Sequence, residues 1–279
     1  MPPSNRFRGS RKPAAVCLAG ISLNLAFPGR GWSFDPRANF RDFRAPAATP
    51  HFKIAIAAVP RRPLGPETPR IRLRDKILSI ARTDFAGSFD LGAGRGRAET
   101  WGTPHALDSL FRVFLAEILL RRRGFLVHAS SVLGADGRAL VLPGPSGSGK
   151  STILAKAAPG DALAEETTAL VREREGWTAW GLPFRRTWRH PVVAAPLAGL
   201  FFLERNRRPG LHPLTAAGAA GRILPRTLFY RDDRVGARKL SSLAARLVSE
   251  IPAWRFSYRL RRSWRSLQTS LTNAAARTS

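Results

Sequence analysis

Apolar and polar residues alternate through the first third of the chain. Ile21, Leu23 and Leu25 are separated by Ser22 and Asn24, Phe52, Ile54 and Ile56 by Lys53 and Ala55, and Ile71 and Leu73 sit among Arg70, Arg72 and Arg74. Phe85, Phe89 and Leu91 lead into the turn Gly92-Ala93-Gly94, and residues 97–101 return. A period of two bounded by glycine-rich turns predicts half-buried strands in an antiparallel arrangement. Residues 28–50 read as loop. From His105 the period lengthens: Leu107, Leu110, Phe111, Phe114, Leu115, Ile118 and Leu119 predict an amphipathic helix over 105–122, closed by Arg121-Arg122-Arg123 with Gly124 as a left-handed cap. Strands follow at 125–132 and 138–142 around the turn Gly134-Ala135-Asp136-Gly137. Near the C-terminus, Leu240, Leu243, Ala244, Leu247 and Val248 define a helix face. Trp254, Phe256, Tyr258 and Leu260 alternate as a strand, and Trp264, Leu267 and Leu271 suggest a last helix. The expected organisation is a disordered basic start at 1–13, a β-rich module at 14–104, a core at 105–272 and a tail at 273–279.

Composition adds bounds. The chain has 279 residues, 44% hydrophobic and 23% charged, which excludes wholesale disorder, collagen and a coiled-coil rod. A single cysteine, Cys17, excludes an intrachain disulfide framework and a cysteine-rich zinc site. No apolar run approaches the ~20 residues of a membrane-spanning helix. Residues 14–27 follow a basic leader as a signal-peptide core would, but Ser22 and Asn24 interrupt them in strand rhythm, so a cytoplasmic protein is expected. The net charge is +27, from 46 Lys+Arg against 19 Asp+Glu. Only six of those cations are lysines, and the arginines are scattered in an Ala-, Gly- and Pro-rich chain. A GC-rich base bias could produce that balance without a polyanionic partner, so nucleic acid is not the expected ligand.

One segment carries chemistry. Gly144-Pro145-Ser146-Gly147-Ser148-Gly149-Lys150-Ser151 fits the Walker A pattern, with Thr152 continuing it. Glycines let successive backbone N–H groups point into one concavity. A helix starting near Gly149 adds its positive N-terminal end. Lys150 can reach the β- and γ-phosphates of ATP, and the Ser151 hydroxyl can sit on Mg²⁺. The context fits: an apolar strand precedes the loop, and a short helical stretch from Thr152 to Ala158 follows, with Ile153, Leu154 and Ala157 as its apolar face. Further on, Glu165-Glu166 could hold Mg²⁺ and accept a proton from an attacking hydroxyl, or form a solvated turn. ABC-type and AAA-type ATPases place a second acidic motif behind a long hydrophobic strand; none is read here, nor an LSGGQ-like stretch, nor the Asn-Lys-x-Asp of small GTPases.

The order of strand Leu126-Val127-His128-Ala129-Ser130, turn, strand, Gly144–Ser151 loop, short helix and Glu165-Glu166 resembles the HPr kinase/phosphorylase family and its kinase-like relatives. The resemblance continues through a hairpin, Thr168 to Val171 and Trp177 to Trp180, to Gly181-Leu182-Pro183-Phe184 and Ala195 to Glu204, and covers roughly 105–260. It implies an α/β fold: a β-rich N-terminal module on a P-loop kinase core of mixed sheet and flanking helices, similar also to ATP-dependent phosphoenolpyruvate carboxykinase. It implies an ATP- and Mg²⁺-dependent kinase acting on a serine-type hydroxyl of a protein or peptide, without a membrane span and compatible with a homo-oligomer. His128 matches the family histidine ahead of the loop. Glu165 and Glu166 fall where the family carries Asp-Asp or Asp-Glu; they, with His128, are the candidate catalytic residues, and with Ser151 the candidate metal ligands. Trp177, Trp180 and Phe184 could stack an adenine or belong to the core, and Arg185, Arg186, Arg189 and His190 could reach the γ-phosphate or the acceptor. A nucleotide-binding regulator without transfer activity and a nucleic-acid-dependent NTPase are the alternative readings.

Overall fold

The computed structural model describes residues 7–8, 13–45, 49–157, 160–184, 192–204, 208–258 and 263–277. Most of the basic start, the loop carrying Arg185, Arg186, Arg189 and His190, and the end of the tail lie outside these. The chain is α/β with mixed sheets and divides into two compact units, Met1–Glu117 and Ile118–Ser279.

In the first unit the strands are β1 (Phe7–Arg8), β2 (Ala14–Leu18), β3 (Ile21–Ala26), β4 (Arg30–Trp32), β5 (Phe52–Ala58), β6 (Arg70–Arg74), β7 (Ile77–Arg82), β8 (Phe85–Asp90) and β9 (Arg95–Thr100). β1 and β4 pair with each other, and the rest form one sheet in the order β2-β3-β5-β9-β8-β7-β6. The expectation of antiparallel pairing needs correction at its centre, because β3–β5 and β5–β9 are parallel. Alternation reports a half-buried strand whatever its neighbour's direction. Between β3 and β5 the chain makes β4 and a 3₁₀ turn at Ala38–Phe43, within the stretch read as loop. The alternating residues bury one face, Leu23, Leu25, Ile54, Ile56, Leu78 and Ile80 among them. Helix α1 (Pro104–Arg121) covers that side: the Phe114 ring lies 4.6 Å from Phe89 and 5.5 Å from Phe52. Such buried rings each contribute about 1.5–3 kcal/mol.

The helix ends differently from expectation. Arg123, not Gly124, takes the left-handed conformation, with φ 59°. Gly124 instead opens β10, where a Cβ would stand 2.8 Å from the Leu170 carbonyl oxygen; its lack of a side chain serves close strand approach.

The second unit continues with β10 (Gly124–Leu133), β11 (Ala139–Pro143), α2 (Lys150–Lys156), β12 (Ala162–Ala164), β13 (Thr167–Glu173), β14 (Gly176–Gly181), β15 (Ala194–Leu203), β16 (Gly210–Pro213), α3 (Ala216–Ile223), α4 (Arg234–Glu250), β17 (Ala253–Ser257) and α5 (Trp264–Ala276). The sheet runs β11-β10-β13-β14-β15-β17-β16, and β11 also pairs with β15, so five strands close into a ring. β11, β15 and β17 are parallel to one another, and the hairpins are antiparallel. One core holds the inward residues of β10, β13 and β14 with Leu240, Leu243, Ala244, Leu247 and Val248 of α4. A second holds Leu140, Leu142, Ile153, Leu154 and Phe201 with Trp264, Leu267 and Leu271 of α5. Both C-terminal helices thus bury the faces that their periodicity marks. Trp177 and Phe184 are buried, and the indole N–H of Trp177 donates to Glu250 at 2.9 Å, so these two serve the core. Trp180 is partly buried and donates to Glu173.

Candidate functional site

β11 is wholly buried and delivers the chain into the 144–151 loop at Pro143, which pairs with Ala129 of β10. The loop needs glycine at two places. Gly147 and Gly149 have φ 71° and 102°, a region that L side chains rarely adopt. Gly149 is also the N-cap of α2, with Lys150, Ser151 and Thr152 in the first turn. A Cβ on Gly149 would come 2.7 Å from the Tyr258 hydroxyl, which donates to the Gly149 carbonyl at 3.0 Å. Burial pushes the Tyr258 pKa up, while a hydrogen bond with the Thr152 side chain lowers it. Tyr258 stacks on Phe256 with ring centroids 5.6 Å apart, so the ring braces the loop from β17.

The Lys150 side chain is buried. Its ammonium donates to the carbonyls of Gly144 at 2.6 Å and Pro145 at 2.9 Å. Desolvation, then the nearby Arg226, lower its pKa, and Glu166 acts in the opposite direction. Ser148 is 7% exposed, and its hydroxyl has no hydrogen-bond partner. Pro145, Ser146, Gly147 and Ser151 face solvent.

The acidic pair is held next to β10. The Ser130 hydroxyl donates to the Glu165 carbonyl oxygen at 2.5 Å, and β12 pairs with β10 just before it. Glu165 and Glu166 are both partly buried. Glu166 lies within electrostatic reach of Lys150. His128, also partly buried, stands on β10 opposite Thr167. The structure thus brings Lys150, Glu166 and Arg226 together, with Ser148 buried in the same loop. Among the described residues no three His, Cys, Asp or Glu side chains converge as a metal site. Magnesium needs no such cage, because it is commonly bound through one or two carboxylates plus substrate phosphates, and the oxygen donors Ser151, Glu165 and Glu166 suit it.

Two residues, Arg222 and Arg226, are not singled out by the sequence, and a third, Glu204, enters there only as the end of a resembling segment. Arg226 is brought to the loop because Thr227 bridges to Val127 and the Leu228 N–H donates to the Leu126 carbonyl. Its guanidinium donates to the Arg222 carbonyl at 2.5 Å, while its Nε is buried without a partner. Burial first and Arg222 second lower its pKa. Arg222 in turn pairs with Glu204 at 2.6 Å. Glu204 directly follows β15, which runs parallel beside β11; a Cβ on Gly144 would come 3.0 Å from Leu203 Cβ. An acidic residue therefore does stand behind a long hydrophobic strand, contrary to the sequence reading. The signal was the apolar run 197–203 ending in Glu204. Nothing marked Arg222 and Arg226 among so many arginines.

No protein-family model matches the chain, and no match is found among curated proteins. Among the described residues no helix is long and apolar enough to cross a membrane. A concavity of about 670 Å³ lies on the first unit's sheet and is lined by none of these residues.

Proposed function

We propose that the chain is an ATP-dependent kinase of the HPr-kinase-like type, transferring the γ-phosphoryl group to a serine hydroxyl of a protein or peptide. The observation that carries this reading is the 144–151 loop. Two left-handed glycines shape it, its lysine is buried against its own carbonyls, and a buried serine hydroxyl in it lacks a partner. An incoming phosphate would take the Ser148 hydroxyl, draw the Lys150 ammonium from the carbonyls and meet backbone N–H groups at the start of α2. Arg226, with an unpaired buried Nε, adds a second cation toward the same charge.

In this mechanism the acceptor oxygen attacks the γ-phosphorus as the bond to the ADP oxygen breaks. Glu165 or Glu166 takes the hydroxyl proton, and Lys150 and Arg226 offset the charge on the transferred group. Mg²⁺, held through Ser151 and a glutamate, would supply charge neutralisation across the phosphates. Catalysis of this type is mostly positioning and electrostatics. The test is transfer of label from γ-labelled ATP to serine in a cognate lysate by the wild-type protein and Lys150→Ala. Label lost in the variant supports the kinase. ATP binding without label in either protein points to a nucleotide-dependent regulator, and unchanged binding and transfer in the variant removes the reading.

A further inference from the structure

We propose that a basic groove on the second unit docks an acidic segment of the acceptor polypeptide. This deepens, and rests on, the kinase reading. The groove has a volume of about 500 Å³ and is ringed by Arg123, Arg172, Arg234, Arg238, Lys239 and Arg246. Two of the six are neutralised within the chain: Glu250 accepts from Arg172 and Arg246, each at 2.8 Å. That carboxylate also accepts from the buried Trp177 indole, which ties these two arginines to the core. The other four have no acidic partner among the described residues. Four uncompensated cations around one concavity repel one another and favour an anionic occupant.

The chemistry of the wall selects the occupant. Val235, 77% exposed, and Leu243 contribute apolar surface between the cations. Among the described residues no aromatic ring lines the groove, which gives it no stacking platform of the kind single-stranded nucleic acids use. A polypeptide carrying carboxylates with an interspersed apolar side chain satisfies both features.

Strand geometry relates the groove to the chemistry. β13 starts at Thr167, directly after Glu166, and reaches the groove at Arg172. The six steps from Glu166 to Arg172 at ~3.4 Å place the groove about 20 Å from the acidic pair. An extended peptide covers that distance in about six residues, so the acidic run should lie about that far from the acceptor serine.

The probe is a fluorescein-labelled hexapeptide of glutamate and leucine, followed by anisotropy without ATP. The wild-type protein should bind it with an affinity that falls as salt rises. Arg234→Glu/Arg238→Glu, two exposed helix positions, should weaken binding roughly tenfold or more. Arg70→Glu/Arg72→Glu, on β6, changes net charge equally and should leave binding unchanged, as should Lys150→Ala. Circular dichroism checks that each variant is folded. Equal weakening by both charge-reversed pairs would overturn the proposal in favour of diffuse net charge. Tighter competition by an oligothymidylate of equal charge would overturn it in favour of nucleic acid. Peptide binding at the groove with no γ-label transfer by the wild type would leave the docking surface standing while the kinase reading fell.

Discussion

Replacing Gly149 by alanine tests the geometry of the glycine-rich loop most directly. The backbone there has φ 102° and ψ 9°, where an L side chain costs about 1–3 kcal/mol. The new methyl would stand 2.7 Å from the Tyr258 hydroxyl, well inside contact distance. The tyrosine cannot retreat freely, because its ring stacks on Phe256 and its hydroxyl donates to the Gly149 carbonyl. Displacing it forfeits that hydrogen bond, worth about 1 kcal/mol. Gly149→Ala should therefore destabilise by about 3 kcal/mol in urea unfolding and weaken ATP binding by re-aiming the N–H groups of α2. Tyr258→Phe alone should cost about 1 kcal/mol. In the Gly149→Ala background it should cost almost nothing, since the hydroxyl has already lost its place. The double-mutant cycle should show about 1 kcal/mol of coupling. Strict additivity, or a Gly149→Ala cost under about 0.5 kcal/mol, would refute this account.

Other consequences follow from single groups. Burial and Arg226 hold Lys150 below the usual lysine pKa, and an anionic ligand should raise it, so ATP binding should take up a proton on the alkaline side and weaken as pH rises; calorimetry in buffers of different ionisation enthalpy reads this. Glu165→Gln and Glu166→Gln should keep ATP affinity, and loss of the proton acceptor should lower transfer by about 10²–10⁴-fold; if both remain fully active, the pair is a solvated turn. The side-chain hydrogen bonds of Arg172 and Arg246 lower the Glu250 pKa from 4.5 to about 2. A depressed carboxylate contributes stability above its unfolded pKa and loses it as pH falls toward the folded value. The full shift corresponds to about 3 kcal/mol, which solvent exposure of these pairs reduces to about 1 kcal/mol. Glu250→Gln should flatten acid unfolding between pH 4.5 and about 2, followed by far-UV circular dichroism.

What the sequence discloses depends on how local the signal is. Helix α1, strands β3, β5, β6, β8 and β9 of the first sheet and the buried faces of α4 and α5 follow from the residue pattern, because each shows its core-facing residues in order. Strand direction does not: β3, β5 and β9 carry the same alternation that antiparallel strands would. The helix cap at 123–124 was misassigned because glycine suits both a left-handed turn and a close strand contact, and here the Leu170 carbonyl decides. The glycine-rich loop is legible because its residues are contiguous. Arg226 is not, since a bridge from Thr227 to Val127, 100 positions apart, brings it to the loop. Glu204 was visible in principle, but its meaning depends on β15 lying beside β11, which a list of residues does not state.

The same distinction tells which positive charges matter. Arginines on β6, such as Arg70, Arg72 and Arg74, are exposed, keep their hydration and demand no counter-ion, so they add to the +27 total at little cost. Arg226 is different: it is partly buried, its Nε has no partner, and it raises the cost of protonating Lys150 beside it. Glu204 pairs with Arg222 and offsets Arg226 only in part, as Glu166 does Lys150. Two cations brought together with incomplete compensation repel each other, and an anion of several charges beside them turns that cost into a gain. A phosphate group supplies that compensation. It can also accept from the Ser148 hydroxyl, which otherwise stays buried and unpaired at a cost of about 1–3 kcal/mol. The polar groups that the fold leaves unsatisfied around residues 144–151 are therefore the ones that the ATP of the proposed reaction would complete.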